Sequence, residues 1–291
     1  MQIVIHTGAH FTDEDRLLKC VMRNTTEFAG LGIAVPGPGR YRGLLKKTLN
    51  ALKSAPPSPE AREVLLDAIL DDAQADRMIL SNTNFFGAPR ASMRHGAIYP
   101  MADSRVAGMS ELFPHDQIEM FIGIRNPASF LPAIFKHSPQ TDFEAFTGGV
   151  DPRHIRWSET LTRVRQAAPN VGITVWCNED TPLIWEQIVR EMAGLDPGAP
   201  IIGRFDLLRE IMSDEGMKRL ESYVAEHPEL SEMQLRRVIS AFLDKFALED
   251  QLEEELDLPD WDEDFVEELT EIYDEDVFRI QRIPGVYFIE P

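Results

Sequence analysis

Cysteine is scarce in this sequence, and long apolar runs are missing. The 291 residues contain two cysteines, Cys20 and Cys177, too few for a disulfide framework and without partners at metal-ligand spacing. No segment reaches the roughly 18 consecutive apolar residues that a membrane helix requires. The start, MQIVIH, lacks the basic segment and small-residue cleavage site of a signal peptide. We therefore expect a cytoplasmic protein with reduced thiols and no membrane span.

Basic residues are also few relative to acidic ones. The chain has 29 Lys and Arg against 49 Asp and Glu, a net charge of −20. Sixteen of the acidic residues, and no Lys or Arg, lie between Lys245 and Arg279. A surface of this sign repels phosphates, so nucleic acid is not expected as a partner.

Apolar residues recur at largely helical intervals within this acidic stretch. The pattern predicts a helix with a solvated acidic face, and the alternative is a docking surface for a basic protein. The apolar positions are Leu248, Leu252, Leu256, Trp261, Phe265, Leu269, Ile272 and Tyr273.

Short apolar runs alternate with helical patterns over the first 200 residues. The runs predict strands over 2–6, 77–81, 118–124 and 172–176, with a brief extended piece at 33–35. Helices are predicted over 13–28, 41–53, 59–75, 102–112, 127–136, 154–167 and 181–192. This alternation favours an α/β fold with a mostly parallel central sheet and helices on both faces. Residues 201–291 read as a helical, acidic C-terminal extension packed on the 1–200 core, within a single domain.

The loop that follows the first strand is the first candidate site. It runs from His6 to Thr12, with Gly8 opening it and Thr12 as the expected N-cap of the next helix. In parallel sheets, ligands bind at the carboxyl ends of strands, and a loop that enters a helix offers free N–H groups to an anion. His6 and His10 are candidate general bases there. The alternative for both is a hydrogen-bonded structural histidine.

Residues 5–15, IHTGAHFTDED, resemble the donor-binding loop of bacterial sulfotransferases, approximately H-x-G-x-H-K-T-G-[ST]-[ST]. LGIAVP at 31–36 is similar to that family's G-I-x-x-P element, and FIGIRNP at 121–127 resembles its strand followed by R-[DN]-P. VWCNED at 175–180 resembles a later strand that ends in E-D. These matches occur in the family's order and cover about the first 195 residues.

The resemblance implies a fold of the P-loop type and an activity. The expected reaction moves a sulfuryl group from 3′-phosphoadenosine 5′-phosphosulfate to a hydroxyl or amine of a small-molecule or carbohydrate acceptor. Gly8, Ala9 and Thr12 would then form the donor loop, and Arg125 with Ser129 the 3′-phosphate site.

Several positions depart from the family's pattern. Phe11 replaces the loop lysine, the acidic DED at 13–15 replaces G-[ST]-[ST], and Ala133 replaces the serine eight positions after Arg125, although Ser129 and Lys136 lie nearby. The lysine would neutralise charge that develops in the transition state. The sequence thus predicts a sulfotransferase-like fold with an eroded phosphosulfate loop, in a non-catalytic or divergent binding or scaffold protein with no certain cofactor. The alternative is an active sulfotransferase.

Other motifs are few. Arg40 and Arg42 form a small basic cluster that could reach an anionic substrate, and the alternative is a solvated helix start. No Walker sequence, G-x-G-x-x-G or G-x-S-x-G element occurs. His95, His115 and His137 have no carboxylate or cysteine at metal-like spacing, so no metal site is predicted.

Overall fold

The computed structural model describes residues 1–248 and 261–291. Within these residues, six strands form one sheet in the order β2-β3-β1-β6-β7-β8, and every neighbouring pair is parallel. A separate hairpin joins β4 and β5. The strands are β1 (Gln2–His6), β2 (Ile33–Ala34), β3 (Arg77–Ser81), β4 (Met93–Arg94), β5 (Ala97–Ile98), β6 (Gln117–Ile124), β7 (Gly172–Cys177) and β8 (Val286–Phe288).

The helices follow the strands as the sequence predicts for an α/β fold. Their bounds are α1 (Arg16–Arg23), α2 (Thr25–Ala29), α3 (Pro38–Ala51), α4 (Ala61–Leu70), α5 (Ala102–Leu112), α6 (Pro127–Phe135), α7 (Phe143–Thr147), α8 (Trp157–Ala167), α9 (Thr181–Ala193), α10 (Asp206–Ile211), α11 (Asp214–Glu226), α12 (Glu232–Phe246) and α13 (Glu263–Ile280).

Both faces of the sheet are covered by hydrophobic side chains. Ile3 and Ile5 of β1 join a core that includes Tyr41 of α3, whereas Val4 joins a second core with Leu17 of α1. Successive strand residues point to opposite faces, so a strand buried on both sides has to be apolar at nearly every position. This explains why the strands of the sheet read as continuous apolar runs, and it confirms the predicted parallel sheet with helices on both faces.

The first helix differs from its prediction. It begins at Arg16 rather than at 13, ends at Arg23, and gives way to the separate α2 at Thr25. Thr12 is not its N-cap: the Thr12 hydroxyl donates to the Ala9 carbonyl at 2.7 Å. Glu14 and Asp15 adopt left-handed φ values of 48° and 64°, a conformation that a helix cannot contain.

The described C-terminal residues return to the sheet. Helices α10 to α12 enclose a small core of their own around Leu220 and Ile239. Helix α13 packs against α6 and α8, with Tyr273 and Ile280 in the main core, and β8 then pairs with β7. The predicted helices after residue 200 are therefore present, while the domain boundary at 200 stays a prediction. Leu252 and Leu256 of the predicted acidic helix lie outside the described residues.

None of the helices in the described part of the chain combines the length and the apolar content needed to cross a membrane.

Candidate functional site

The main cleft lies at the carboxyl edge of the sheet. Strand β1 lies between β3 and β6, so the loops that follow β1 and β6 leave the sheet side by side, the usual position for a ligand in an open parallel sheet. A cavity of about 560 Å³ opens there. Its walls come from the first loop, the starts of α1, α6 and α9, and the helices α10 and α13. Lining residues include Phe11, Thr12, Asp13, Arg16, Asn126, Ser129, Trp176, Glu179, Thr181, Trp185, Glu210 and Thr270.

Arg125 and Ser129 meet at the edge of this cleft. The Arg125 Nε donates to the Ser129 hydroxyl at 2.9 Å, and its Nη1 donates to the Phe11 carbonyl at 2.7 Å. Asn126 caps α6 with its side chain, which places Ser129 within the first turn. The structure therefore brings together Thr12, Arg125 and Ser129, three of the residues that the sequence predicts for the donor site.

His10 is held on both ring nitrogens. Its backbone N–H donates to the Tyr99 hydroxyl at 2.8 Å, and Nδ1 lies 2.7 Å from the same oxygen. Nε2 lies 3.3 Å from the Asn84 side-chain oxygen. An Nε2–H that donates to Asn84 leaves Nδ1 as an acceptor, and the hydroxyls of Tyr99 and Ser92 both lie within reach of it, at 2.7 and 3.1 Å. Burial lowers the pKa of His10, so the ring is neutral near pH 7 and is fixed in place.

His6 lies beneath the loop, away from the cleft. Its Nδ1 is 3.0 Å from the Ser81 hydroxyl, and its ring stacks on Trp176 at 5.9 Å between centroids. Burial lowers the pKa of His6. Gly8 lies next to the His6 ring and has a left-handed φ of +57°. A Cβ at this position would also lie 3.3 Å from Thr83 Cγ2, so glycine is favoured at this turn.

Asp13 forms part of the cleft wall and is 7% exposed. Its Oδ1 accepts the Leu17 N–H at 2.6 Å, but Oδ2 is buried without a hydrogen-bond partner among the residues that the structure describes. Burial raises the pKa of this carboxyl group, because the charged form loses its hydration. The Asp13 carboxyl group therefore places either a negative charge or a bound proton in the wall of the cleft.

The predicted substrate-binding arginines lie elsewhere. Arg42 donates from both terminal nitrogens to Asp15, at 2.9 and 2.6 Å, and from Nε to the Ser81 carbonyl at 2.9 Å. Arg40 donates to Asp71 at 2.8 Å and borders a separate groove beside β2. Neither arginine lines the main cleft, so the small basic cluster at the start of α3 is divided between two other surfaces.

Carboxylates outnumber cations around the cleft. Asp13, Glu179 and Glu210 line it, against one described lining cation, Arg16. The Arg16 Nε donates to Glu210 at 2.6 Å, and an N–O distance of 3.7 Å separates Arg16 from Glu14. Carboxyl groups therefore predominate among the described lining residues, and the one guanidinium among them is paired with two carboxylates.

The sequence did not reveal the far wall of the cleft. The Asn126 side chain donates to the Thr270 hydroxyl of α13 at 2.9 Å, and Glu179 accepts the Asn126 N–H at 2.8 Å. On α9, Trp185 donates to the Gly203 carbonyl at 3.1 Å. Thr270 and Trp185 sit in ordinary amphipathic helix patterns, and no local signal distinguishes them from other helix residues.

Comparison with known protein families finds no family model that matches this chain, and no curated protein matches it. Within 1–248 and 261–291, no three His, Cys, Asp or Glu side chains are grouped so that they could hold a metal ion. The fold and the site define an α/β protein with an acidic cleft at the carboxyl edge of a parallel sheet. The likeness to sulfotransferases rests on the sequence motifs alone.

Proposed function

We propose that this chain is a sulfotransferase-like protein that has lost the donor chemistry and works as a binding or scaffold protein. The proposal depends mainly on the three acidic residues at 13–15, which directly precede α1. Asp13 is buried in the cleft wall with one oxygen unpartnered among the described residues, and Asp15 takes both terminal nitrogens of Arg42.

The charge balance opposes a phosphosulfate group in this loop. Two like charges about 4 Å apart repel by about 1 kcal/mol in water and about 4 kcal/mol at an effective dielectric constant near 20. Asp13 in its ionised form adds a repulsion of this kind to a phosphate held by the loop. Phe11 supplies no cation in place of the family's lysine, and the guanidinium that reaches the loop, Arg125, donates to the Phe11 carbonyl. The residues present therefore do not fit the donor, and we derive no transfer step through it.

The two histidines also suit a structural role better than a catalytic one. His10 has both ring nitrogens engaged by Tyr99 and Asn84, and His6 is buried against Ser81 and Trp176. A general base needs a nitrogen within reach of the proton that it takes. Both rings would have to break existing hydrogen bonds or leave the core to act in the cleft.

One observation favours the alternative of an active sulfotransferase. Arg125 and Ser129 are in direct contact at the mouth of the cleft, and Ser129 lines the cavity. An arginine beside a serine hydroxyl is a suitable pair for a phosphate. If the donor binds, these are the residues that would hold its 3′-phosphate.

The test is a thermal shift with 3′-phosphoadenosine 5′-phosphate, the product of the donor. A ligand at about 100 times its Kd stabilises the folded state by about 2.7 kcal/mol, which is readily measured. We expect no shift at millimolar ligand. A saturable rise in Tm that Arg125→Ala abolishes and Arg40→Ala leaves intact would refute the proposal in favour of the enzyme, because Arg40 lies outside the cleft.

A second experiment asks whether the loop alone blocks the donor. The double variant Phe11→Lys with Asp13→Gly restores the family's cation and removes the buried carboxylate. We expect this variant to gain binding of 3′-phosphoadenosine 5′-phosphate that the natural chain lacks. A folded double variant that still fails to bind would mean that the obstacle lies elsewhere in the cleft.

Two further expectations remain predictions. A basic protein as partner of the acidic helix depends partly on residues 249–260, outside the described residues. The cytoplasm stays the predicted compartment.

A further inference from the structure

A second cavity lies apart from the main cleft, beside α3 and the loop that follows β3. It measures about 300 Å³ and is bounded by α3, by α5 and by the segment that follows β3. Of the residues in 1–248 and 261–291, none lines both this cavity and the main cleft. Its volume falls at the lower end of the roughly 300–1,000 Å³ range of small-molecule sites.

Its lining is cationic, although the chain carries a net charge of −20. Arg42, Lys46 and Arg105 line it, with no carboxylate among the described lining residues. Arg42 is neutralised by Asp15 from outside the cavity. Lys46 and Arg105 have no ion pair in the described chain, so their charges add at this one place.

Arg105 is the more unusual of these two cations. Its Nη2 donates to the Asn50 side chain at 2.8 Å, but its buried Nε has no hydrogen-bond partner among the described residues. Burial lowers the pKa of Arg105, and no carboxylate among the described residues compensates. A half-buried guanidinium without a counter-ion is costly, and an anion in the cavity would offset that cost.

Asn82 provides a neutral donor on the same wall. The residue is 8% exposed, and its side-chain oxygen accepts the Asn84 N–H at 3.1 Å. This bond fixes which side-chain atom of Asn82 is the oxygen, so its Nδ2 points away from Asn84. Nδ2 donates to no described residue. The buried side chains of Leu45, Leu49 and Phe85 complete an apolar wall.

We propose that this second cavity binds a small organic oxyanion, a carboxylate, sulfate ester or phosphate ester on an apolar body. Lys46 and Arg105 supply the charge, Asn82 supplies a neutral N–H donor, and the leucines and Phe85 contact the apolar part. The proposal concerns different residues from the main cleft, so it does not depend on the proposed function.

Binding is measured by calorimetry on the full chain at constant ionic strength. The probes are benzoate, phenyl sulfate and phenyl phosphate, which separate the three kinds of oxyanion. Inorganic phosphate tests the need for the apolar body, and benzylamine reverses the charge. We expect at least one aromatic anion to bind with a 1:1 stoichiometry, more tightly than inorganic phosphate, and benzylamine not to bind.

The chain offers a matched pair of lysines as variant and control. Lys46 and Lys47 are adjacent and both exposed on α3, but only Lys46 lines the cavity. Lys46→Gln should weaken binding by about tenfold, because a charge-assisted hydrogen bond is lost. Arg105→Gln should weaken it at least as much, and Lys47→Gln should leave it within about twofold of the natural chain.

The proposal is overturned if no aromatic anion binds at about 10 mM, or if benzylamine binds as well as the anions. Equal weakening by Lys46→Gln and Lys47→Gln would also overturn it, since that result indicates general attraction to the α3 surface. Lys46 is exposed, so its variant keeps the fold and the comparison stands even if Arg105→Gln is unstable.

Discussion

Replacing Asp13 by asparagine tests the central electrostatic feature of the cleft. The amide has the shape of the carboxyl group, and its oxygen still accepts the Leu17 N–H that Asp13 Oδ1 accepts at 2.6 Å. The change removes the negative charge and replaces Oδ2 by an amide nitrogen of nearly the same size. Because that charge is buried and its second oxygen has no described partner, Asp13→Asn should stabilise the folded protein at neutral pH.

The expected gain is about 1 kcal/mol. A buried polar atom without a partner costs about 1–3 kcal/mol, and a charged one costs more. The amide nitrogen that replaces Oδ2 stays unpartnered, so only the part due to the charge is recovered. For a chain of this size, about 1 kcal/mol corresponds to a rise in Tm of about 2–4 °C.

The gain should disappear in acid. Burial raises the pKa of the Asp13 carboxyl above its ordinary value of 3.8, so the folded state binds this proton more tightly than the unfolded state. This group's contribution to stability therefore falls as pH rises from its ordinary pKa through the folded pKa, and the full cost is present above the folded pKa. His6 acts in the same direction, because without the Asp13 charge its already lowered pKa falls further and acid destabilises the variant more.

Urea unfolding followed by tryptophan fluorescence, at about pH 7 and about pH 4, measures the difference between variant and natural chain. Taking differences cancels the titration of the other carboxylates. Glu14→Gln is the control, because Glu14 is exposed and should change stability by less than about 0.5 kcal/mol at either pH. A variant that is less stable at pH 7, or equally more stable at both pH values, would refute the reasoning.

Two further predictions concern the frame around the site. Tyr99→Phe should lower the free energy of unfolding by about 1–3 kcal/mol in urea titrations, because it leaves the buried His10 N–H without the hydroxyl that accepts it at 2.8 Å. Nδ1 of His10 keeps the Ser92 hydroxyl at 3.1 Å. An unchanged midpoint would contradict the role given to Tyr99. Gly216→Ala should destabilise by about 1–3 kcal/mol in thermal unfolding, since its new Cβ would contact Phe246 and lie 2.8 Å from Met212 Cγ. Gly39→Ala, with nothing within 4 Å, should be neutral or slightly stabilising, and similar losses at both positions would argue against packing as the cause.

The sheet was largely predictable from the sequence. The strand over 77–81 has the bounds that its apolar run indicates, and β1, β6 and β7 agree with their predictions to within one residue. A strand buried on both faces has to be apolar throughout, and this requirement is visible in a few consecutive residues. The predicted start of the first helix was wrong: Glu14 and Asp15 adopt left-handed φ values, and Asp15 pairs with Arg42 on another helix instead of entering the first turn of α1.

The candidate site was predictable only in part. Thr12 and Ser129 line the same cleft and Arg125 contacts Ser129, while their role as a donor site stays a prediction. Three other contacts were not predicted. Arg40 pairs with Asp71, Tyr99 is hydrogen-bonded to His10, and Asn126 contacts Thr270, which is 144 residues away. Each of these contacts joins residues that are distant in sequence, and nothing in either local pattern names the partner.

The sequence by itself determined the class of fold and the excess of acid in the first loop, because apolar runs of strand length and the signs of side chains are local properties. Only the tertiary structure decided which charges are cancelled. It paired Arg42 with Asp15, buried Asp13 with one oxygen unpartnered among the described residues, and placed Lys46 and Arg105 beside a separate cavity. The energy of a charge depends on its distance to other charges and on its exposure to water, and folding sets both.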